Sequence, residues 1–245
     1  MLRKYRADLH IHTCLSPCGD LELSPAAIIK TASEKGIALI GICDHNSAEN
    51  STAVIEASKD KNITVLPGIE VTSKEEVHIV ALFATVSDAL EMQNLIFDNL
   101  EGENKESVFG QQVIVDAEGW ILGFNPRLLI GATSIPLEAV LQAIHNCNGI
   151  AIAAHIDREG FGIIGQLGFI PPGLKLDAVE ISPRMNIEEA RKKYAEYHTY
   201  PFVCSSDAHY LKDIGRATTI FLLEEPSFQE LRMALQGQAG RSIYY

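Results

Sequence analysis

The sequence contains no apolar run that approaches the length needed to cross a membrane, which is at least about 18 residues. Residues 1–6 lead directly into an apolar stretch and do not resemble the charged and apolar regions of a signal peptide. We therefore predict a soluble, cytoplasmic protein that does not associate with membranes.

Positive charge is scarce, because 20 lysine and arginine residues stand against 32 aspartate and glutamate residues and give a formal net charge of −12. Extended nucleic acids are usually held by basic surfaces that release counterions from the phosphate backbone. The charge balance therefore predicts that extended nucleic acid is not a partner. Part of the excess negative charge would be neutralised if carboxylates bind divalent cations.

Disulfide bonds are not expected, because the five cysteines are odd in number and scattered along the chain, as is typical of a reducing compartment. Cys14 and Cys18 lie close in sequence to a pair of histidines, so a thiolate ligand for a metal ion is conceivable. Free cysteines are more often small buried apolar side chains, and this is the interpretation favoured by the sequence.

Internal repeats and low-complexity linkers are absent, and 245 residues with 47% apolar content can form one domain of the barrel class. Apolar stretches alternate with amphipathic helical patterns, which favours the α/β class with strands joined by helical crossovers. The alternation breaks between 88 and about 130, where the pattern predicts a helix, a polar stretch and a β-hairpin of 113–115 with 120–124. We predict a single domain over residues 1–245 with an insertion at about 88–130.

Two histidines two positions apart, His10 and His12, end the first apolar stretch. In a strand, residues i and i+2 point to the same side, so both imidazoles can face one cavity, as metal ligands do. The pair alone is a weak signal. Later apolar stretches also end in candidate ligands, which are His45, Glu70, His155, Asp207 and His209. The carboxyl ends of the strands meet at one end of a parallel barrel, and this set exceeds the needs of one ion, which predicts two or three.

Several short motifs occur in order across nearly the whole chain: Asp8-Leu9-His10-Ile11-His12-Thr13, Asp44-His45, Gly68-Ile69-Glu70, His78 within its apolar stretch, Ala154-His155 and Ser206-Asp207-Ala208-His209. As an ordered set they resemble the polymerase and histidinol phosphatase (PHP) family. The resemblance implies a distorted seven-stranded TIM-like (β/α)7 barrel. It also implies a cluster of up to three divalent ions, usually zinc, manganese or iron.

Carried over residue by residue, the resemblance assigns His10, His12, Glu70 and Asp207 to one ion. Glu70 would bridge to a second ion that is also held by His78 and His155. A third ion would take His45, His209 and a residue from the loop after the first strand. That loop departs from the common family form, in which Thr-x-x-Ser is followed directly by Asp-Gly, because it reads Ser16-Pro17-Cys18-Gly19-Asp20. Asp20 is the predicted third-site ligand.

Closely spaced metal ions suit hydrolysis, above all of phosphate esters, since the ions activate water and neutralise phosphoryl oxygens. Arg158 follows His155 by three residues in a glycine-rich loop and is the predicted phosphate clamp, with Arg184 as a second candidate. Asp157 is a candidate acid or a residue that orients a ligand. The leading hypothesis is a metal-dependent phosphoesterase acting on a small phosphate monoester, such as histidinol phosphate or a nucleotide phosphate.

Three alternatives remain open at this point. The first is a 3′–5′ exonuclease like some polymerase-linked relatives, which the acidic charge disfavours. The second is an amidohydrolase, a class that also uses His-x-His on a barrel strand but usually requires a modified lysine where this chain has Glu70. The third is a non-catalytic, metal-stabilised module that binds a partner. The sequence carries no signal for the oligomeric state.

Overall fold

The computed structural model describes residues 1–245 and contains a nine-stranded sheet and a separate two-stranded sheet. The strands are β1 Arg3–Ile11, β2 Leu39–Ile42, β3 Thr64–Thr72, β4 His78–Leu82, β5 Val113–Val115, β6 Ile121–Phe124, β7 Ile150–Ala153, β8 Ala178–Ile181, β9 Phe202–Cys204, β10 Thr219–Leu223 and β11 Ser242–Tyr244. The helices are α1 Pro25–Glu34, α2 Ser51–Ala57, α3 Val86–Phe97, α4 Glu106–Phe109, α5 Leu137–Asn146, α6 Ile163–Leu167, α7 Ile187–Lys193 and α8 Phe228–Leu235.

The large sheet curls into a nearly closed barrel. Its strand order is β11-β10-β1-β2-β3-β4-β7-β8-β9, and a parallel bridge between Ile11 and Ala208 joins the residues after β9 to the end of β1. The hydroxyl of Thr219 on β10 also donates to the backbone oxygen of Cys204 and accepts from its N–H. The predicted α/β barrel class is confirmed, with nine strands in the sheet rather than seven because β10 and β11 pair antiparallel beside β1.

One connection differs from the predicted alternation of strands and crossover helices. Residues 73–77 join β3 to β4, and five residues are too few for a crossover, so β4 runs antiparallel to both β3 and β7. The register pairs Thr72 with His78. His78 therefore begins β4 at the same end of the barrel where the parallel strands finish.

The predicted hairpin at 113–115 and 120–124 is present as β5 and β6, which form the separate sheet. It lies against the loop after β1, because the N–H of Val113 donates to the backbone oxygen of Cys14. The side chain of Asn50 also holds the hairpin, donating to the backbone oxygen of Val113 and accepting from the N–H of Val115. No helix in the chain combines the length and the apolar character needed to span a bilayer.

Candidate metal centre

Eight of the nine predicted ligands meet at the carboxyl end of the barrel, and we call this set the candidate metal centre. It consists of His10, His12, His45, Glu70, His78, His155, Asp207 and His209. All but His209 are buried. The ninth predicted residue, Asp20, does not join them, because its carboxylate accepts the backbone N–H of Glu22 in the loop after β1.

Glu70 occupies the middle of the candidate metal centre and presents its two oxygens to different histidines. Its Oε1 lies 2.8 Å from Nδ1 of His78 and 3.2 Å from Nε2 of His155. Its Oε2 lies 2.9 Å from Nδ1 of His45 and 3.5 Å from Nε2 of His12. A carboxylate with imidazoles on both sides has the geometry of a ligand shared between two ions.

Asp207 faces the first histidine pair from the opposite wall. Its Oδ1 lies 3.0 Å from Nε2 of His12 and 3.4 Å from Nε2 of His10. Its Oδ2 pairs with Arg158, whose Nη1 is 2.6 Å away. Arg158 thus reaches into the centre, and it lines the same cavity of about 200 Å³ as Glu70 and Asp207.

Two residues of the centre have backbone conformations that are costly for non-glycine residues. His155 lies two residues after the end of β7 with a φ of 30°, and Asp207 lies three residues after the end of β9 with a φ of 48°. Strain of this kind persists only where the surroundings enforce it and is concentrated at functional sites. The loop from His155 to Gly162 is also tightly wound, since a Cβ at Gly162 would lie 2.5 Å from the backbone oxygen of Arg158.

The two carboxylates of the centre favour the anionic form that binds cations, but carboxylates beside His10 and His45 outweigh burial and raise the pKa of both imidazoles. Burial opposes ionisation of Glu70, but the neighbouring His78, His10 and His45 outweigh it and hold the pKa of that carboxyl well below its usual value. The pKa of Asp207 is likewise lowered, because His10 and His12 outweigh its burial. Burial lowers the pKa of His12 well below normal. Anionic carboxylates and a neutral imidazole are the protonation states that bind metals.

The donor atoms fit divalent ions. Three groups of side chains each bring their ligand atoms within 4.8 Å of one another: His12, His45 and His209; His10, His12, Glu70 and Asp207; and His45, Glu70 and His78. Nε2 of His10 is buried without a hydrogen bond, although it lies 3.4 Å from oxygens of both Glu70 and Asp207. A cation between these atoms would satisfy all of them.

Sequence reasoning missed the residues that orient these ligands. Glu180 on β8 accepts from Nδ1 of His10 at 3.1 Å and from the backbone N–H of His155 at 3.2 Å. Asp44 accepts from the hydroxyl of Ser16, which also contacts Nδ1 of His12. The available signal was a lone acidic residue in the otherwise apolar strand Ala178–Ile181, because a fully buried carboxylate requires partners.

Replacing Glu180 with glutamine is expected to weaken metal binding about 10–100-fold. The side-chain shape is kept, but the negative charge that makes His10 a stronger metal ligand is lost. Titration of the metal-free protein with zinc or manganese measures this change, and circular dichroism checks the fold. Glu188→Gln on the exposed surface of α7 is the matched control. Equal affinities for both variants would contradict the orienting role.

Two predicted residues lie away from the centre. Asp157 accepts the backbone N–H and the hydroxyl of Ser182, so its carboxylate ties the loop after β7 to the loop after β8. Arg184 is exposed and does not line the cavity. Neither side chain has the position of a group that contacts a reacting phosphate.

The loop after β1 instead brings Cys18 to the centre. Its Sγ lies 3.2 Å from Nε2 of His45. Cys18 is exposed at the mouth of the centre. Desolvation of its thiol raises the pKa, but hydrogen bonds with His209 and His45 outweigh this effect and lower the pKa to about 6. The interpretation of Cys18 as an ordinary buried apolar residue therefore does not describe its surroundings.

Comparison with known proteins relates the chain to one protein family by sequence. A family model for the PHP domain matches residues 8–198, and a model for a PHP-associated region matches residues 189–239. The uncharacterised protein YqxK of Bacillus subtilis is 26% identical over 99% of this chain and 64% of its own length. A 5′–3′ exoribonuclease of Haemophilus influenzae is 32% identical over 63% of this chain and 69% of its own length.

The lesion-specific endonuclease Q of Pyrococcus furiosus shares the fold, with a TM-score of 0.77 and 20% identity over 98% of this chain and 58% of that chain. In another crystal structure, endonuclease Q holds a 27-mer duplex with an abasic lesion at its active site. This chain therefore spans less than two thirds of YqxK and of endonuclease Q.

These relatives correct one prediction. We predicted a small phosphorylated partner and excluded extended nucleic acid. This prediction is wrong, because an exoribonuclease and a DNA endonuclease are among the similar proteins. The net charge led to the wrong prediction because it averages over the whole surface. A phosphate at a metal site responds to the local electrostatic field, which bound cations dominate. The predicted family membership is confirmed: the chain belongs to the PHP domain family.

Proposed function

We propose that the protein is a metal-dependent nuclease that hydrolyses phosphodiester bonds with two or three divalent ions, zinc, manganese or iron. The observation that carries the proposal is Glu70, whose two oxygens face two groups of imidazoles inside the cavity that Arg158 enters. Such a carboxylate suits ions a few ångströms apart, the arrangement used for in-line displacement at phosphorus.

Within this proposal, different groups of ligands would hold different ions. His10, His12, Glu70 and Asp207 would hold one ion, and Glu70 and His78 would share a second with His155 or with His45. When bound, such ions activate water and stabilise negative charge on the phosphoryl oxygens. The side chain of Arg158 donates hydrogen bonds at the cavity wall, where it would orient the phosphate.

The size of the cavity supports a substrate that extends beyond it. At about 200 Å³ it is smaller than the roughly 300–1,000 Å³ of sites that enclose whole small molecules. It can admit a phosphate group, so the remainder of the substrate would lie across the rim. The ring of Phe161 stands there, 41% exposed and stacked on His78 with centroids 4.5 Å apart. Its free face can stack on a base, a contact that tolerates any sequence.

The proposal predicts metal-dependent cleavage of end-labelled oligonucleotides. Purified protein is assayed with manganese or zinc on single-stranded DNA, RNA and duplex DNA containing an abasic site, with p-nitrophenyl phosphate as the monoester comparison. We expect cleavage of at least one nucleic acid, its complete loss with a chelator, and recovery when metal is returned. Hydrolysis of the monoester alone would contradict a nuclease, and failure to hydrolyse any phosphate ester would favour a binding module or an amidohydrolase.

A further inference from the structure

The thiol of Cys18 lies beside a group of side chains that has no anionic member. Of the three ligand groups in the centre, only His12, His45 and His209 contains no carboxylate. Cys18 lines the same cavity as His45 and His209, and its Sγ is 3.2 Å from Nε2 of His45. A divalent ion held by imidazoles alone would keep its full positive charge, and a thiolate would offset part of it.

The chain holds this loop in place. The N–H of Gly19 donates to the backbone oxygen of Ser16 at 2.8 Å, and a Cβ on Gly19 would lie 2.6 Å from the backbone oxygen of Thr13. The N–H of Asp20 donates to the backbone oxygen of His209 at 2.9 Å, which ties the loop to the far wall of the centre. The close packing at Gly19 therefore sets the position of Cys18.

The same packing directs Asp20 elsewhere. Its carboxylate accepts the N–H of Glu22 at 2.8 Å, in a turn that leads towards α1. The loop thus brings a sulfur atom, and not a carboxylate oxygen, next to His45. Sulfur and oxygen ligands select different metals, since thiolates favour zinc while carboxylates suit manganese and magnesium.

We propose that Cys18 is a thiolate ligand of a third metal ion, held together with His45 and His209, and that this ligand makes the third position selective for zinc. The inference rests on the proposed metal-dependent function, because it assumes that the neighbouring ligands bind ions. A Cys-His-His set leaves one position of a tetrahedral zinc open, as catalytic zinc sites do.

Cobalt substitution tests the ligand directly. Cobalt bound by a thiolate has a sulfur-to-metal charge-transfer band in the near ultraviolet, which imidazole and carboxylate ligands do not produce. We expect this band in the native protein and in Cys147→Ser, whose cysteine lies at the end of α5 and does not line the cavity, and its absence in Cys18→Ser. Zinc content, measured by mass spectrometry, should fall by about one ion per chain in Cys18→Ser only.

A second substitution separates loss of a ligand from damage to the loop. Cys18→Asp supplies an oxygen donor, so it should recover the third ion, lose the charge-transfer band and bind manganese better than the native protein. A band that persists in Cys18→Ser, or full zinc content in that variant, overturns the inference. If native protein binds ions and cleaves its substrate without the band, only the role of Cys18 fails. If native protein binds no ion, the proposed function fails with it.

Discussion

Glu70→Gln is expected to lower kcat/KM for phosphodiester hydrolysis at least about 10³-fold. The glutamine has the same shape, but it replaces one anionic oxygen with an NH₂ group that cannot bind a cation. Since both oxygens of Glu70 face imidazoles, either orientation of the amide costs one of the two ion positions. Loss of about 4 kcal/mol of transition-state stabilisation corresponds to this factor.

The measurement combines steady-state kinetics with metal content for each preparation. Glu91→Gln makes the same chemical change at an exposed position of α3 and should leave both quantities as in the native protein. We expect Glu70→Gln to retain its fold by circular dichroism while binding fewer ions. A Glu70→Gln protein with native metal content and native turnover would refute the assignment of this carboxylate to the metal cluster.

Two simple rules predicted the convergence of most of these histidines and acids from the sequence. Side chains at i and i+2 of a strand share a face, which predicts the placement of His10 and His12. Strands of a parallel barrel end together, which predicts the convergence of His45, His155 and Asp207. His78 follows neither rule. It begins a strand, and it joins the others because the short turn after Thr72 reverses the chain, so family resemblance rather than periodicity predicted it.

Such rules could not predict the positions of side chains in the loops. Asp20 and Cys18 are two positions apart in one turn, and the choice between them depends on a close contact at Gly19 that has no signature in composition. Asp157 and Arg158 are adjacent, yet one carboxylate holds Ser182 while the neighbouring guanidinium enters the cavity. The direction of a side chain in a loop is set by a few hydrogen bonds and φ values, which residue type and spacing do not specify.

Arg158→Met is expected to lower kcat/KM about 10²-fold while the metal content stays at the native level. The guanidinium of Arg158 pairs with Oδ2 of Asp207, and its Nε is buried without a hydrogen-bond partner. The guanidinium therefore has N–H groups left to donate to a phosphate oxygen. Hydrogen bonds to a charged group contribute about 1.5–3 kcal/mol, which corresponds to roughly 10–10²-fold in binding. Inorganic phosphate should therefore inhibit the variant more weakly by a similar factor.

Arg184→Met is the matched control, because Arg184 was the second candidate for a phosphate-binding arginine but is exposed and does not line the cavity. Its kinetics and phosphate inhibition should match those of the native protein. Arg158→Lys adds a second comparison, since it keeps the positive charge beside Asp207 but cannot form two parallel hydrogen bonds. If lysine restores activity fully, charge alone is sufficient. If metal content falls in Arg158→Met while phosphate inhibition is unchanged, Arg158 serves to position Asp207 and does not bind the substrate.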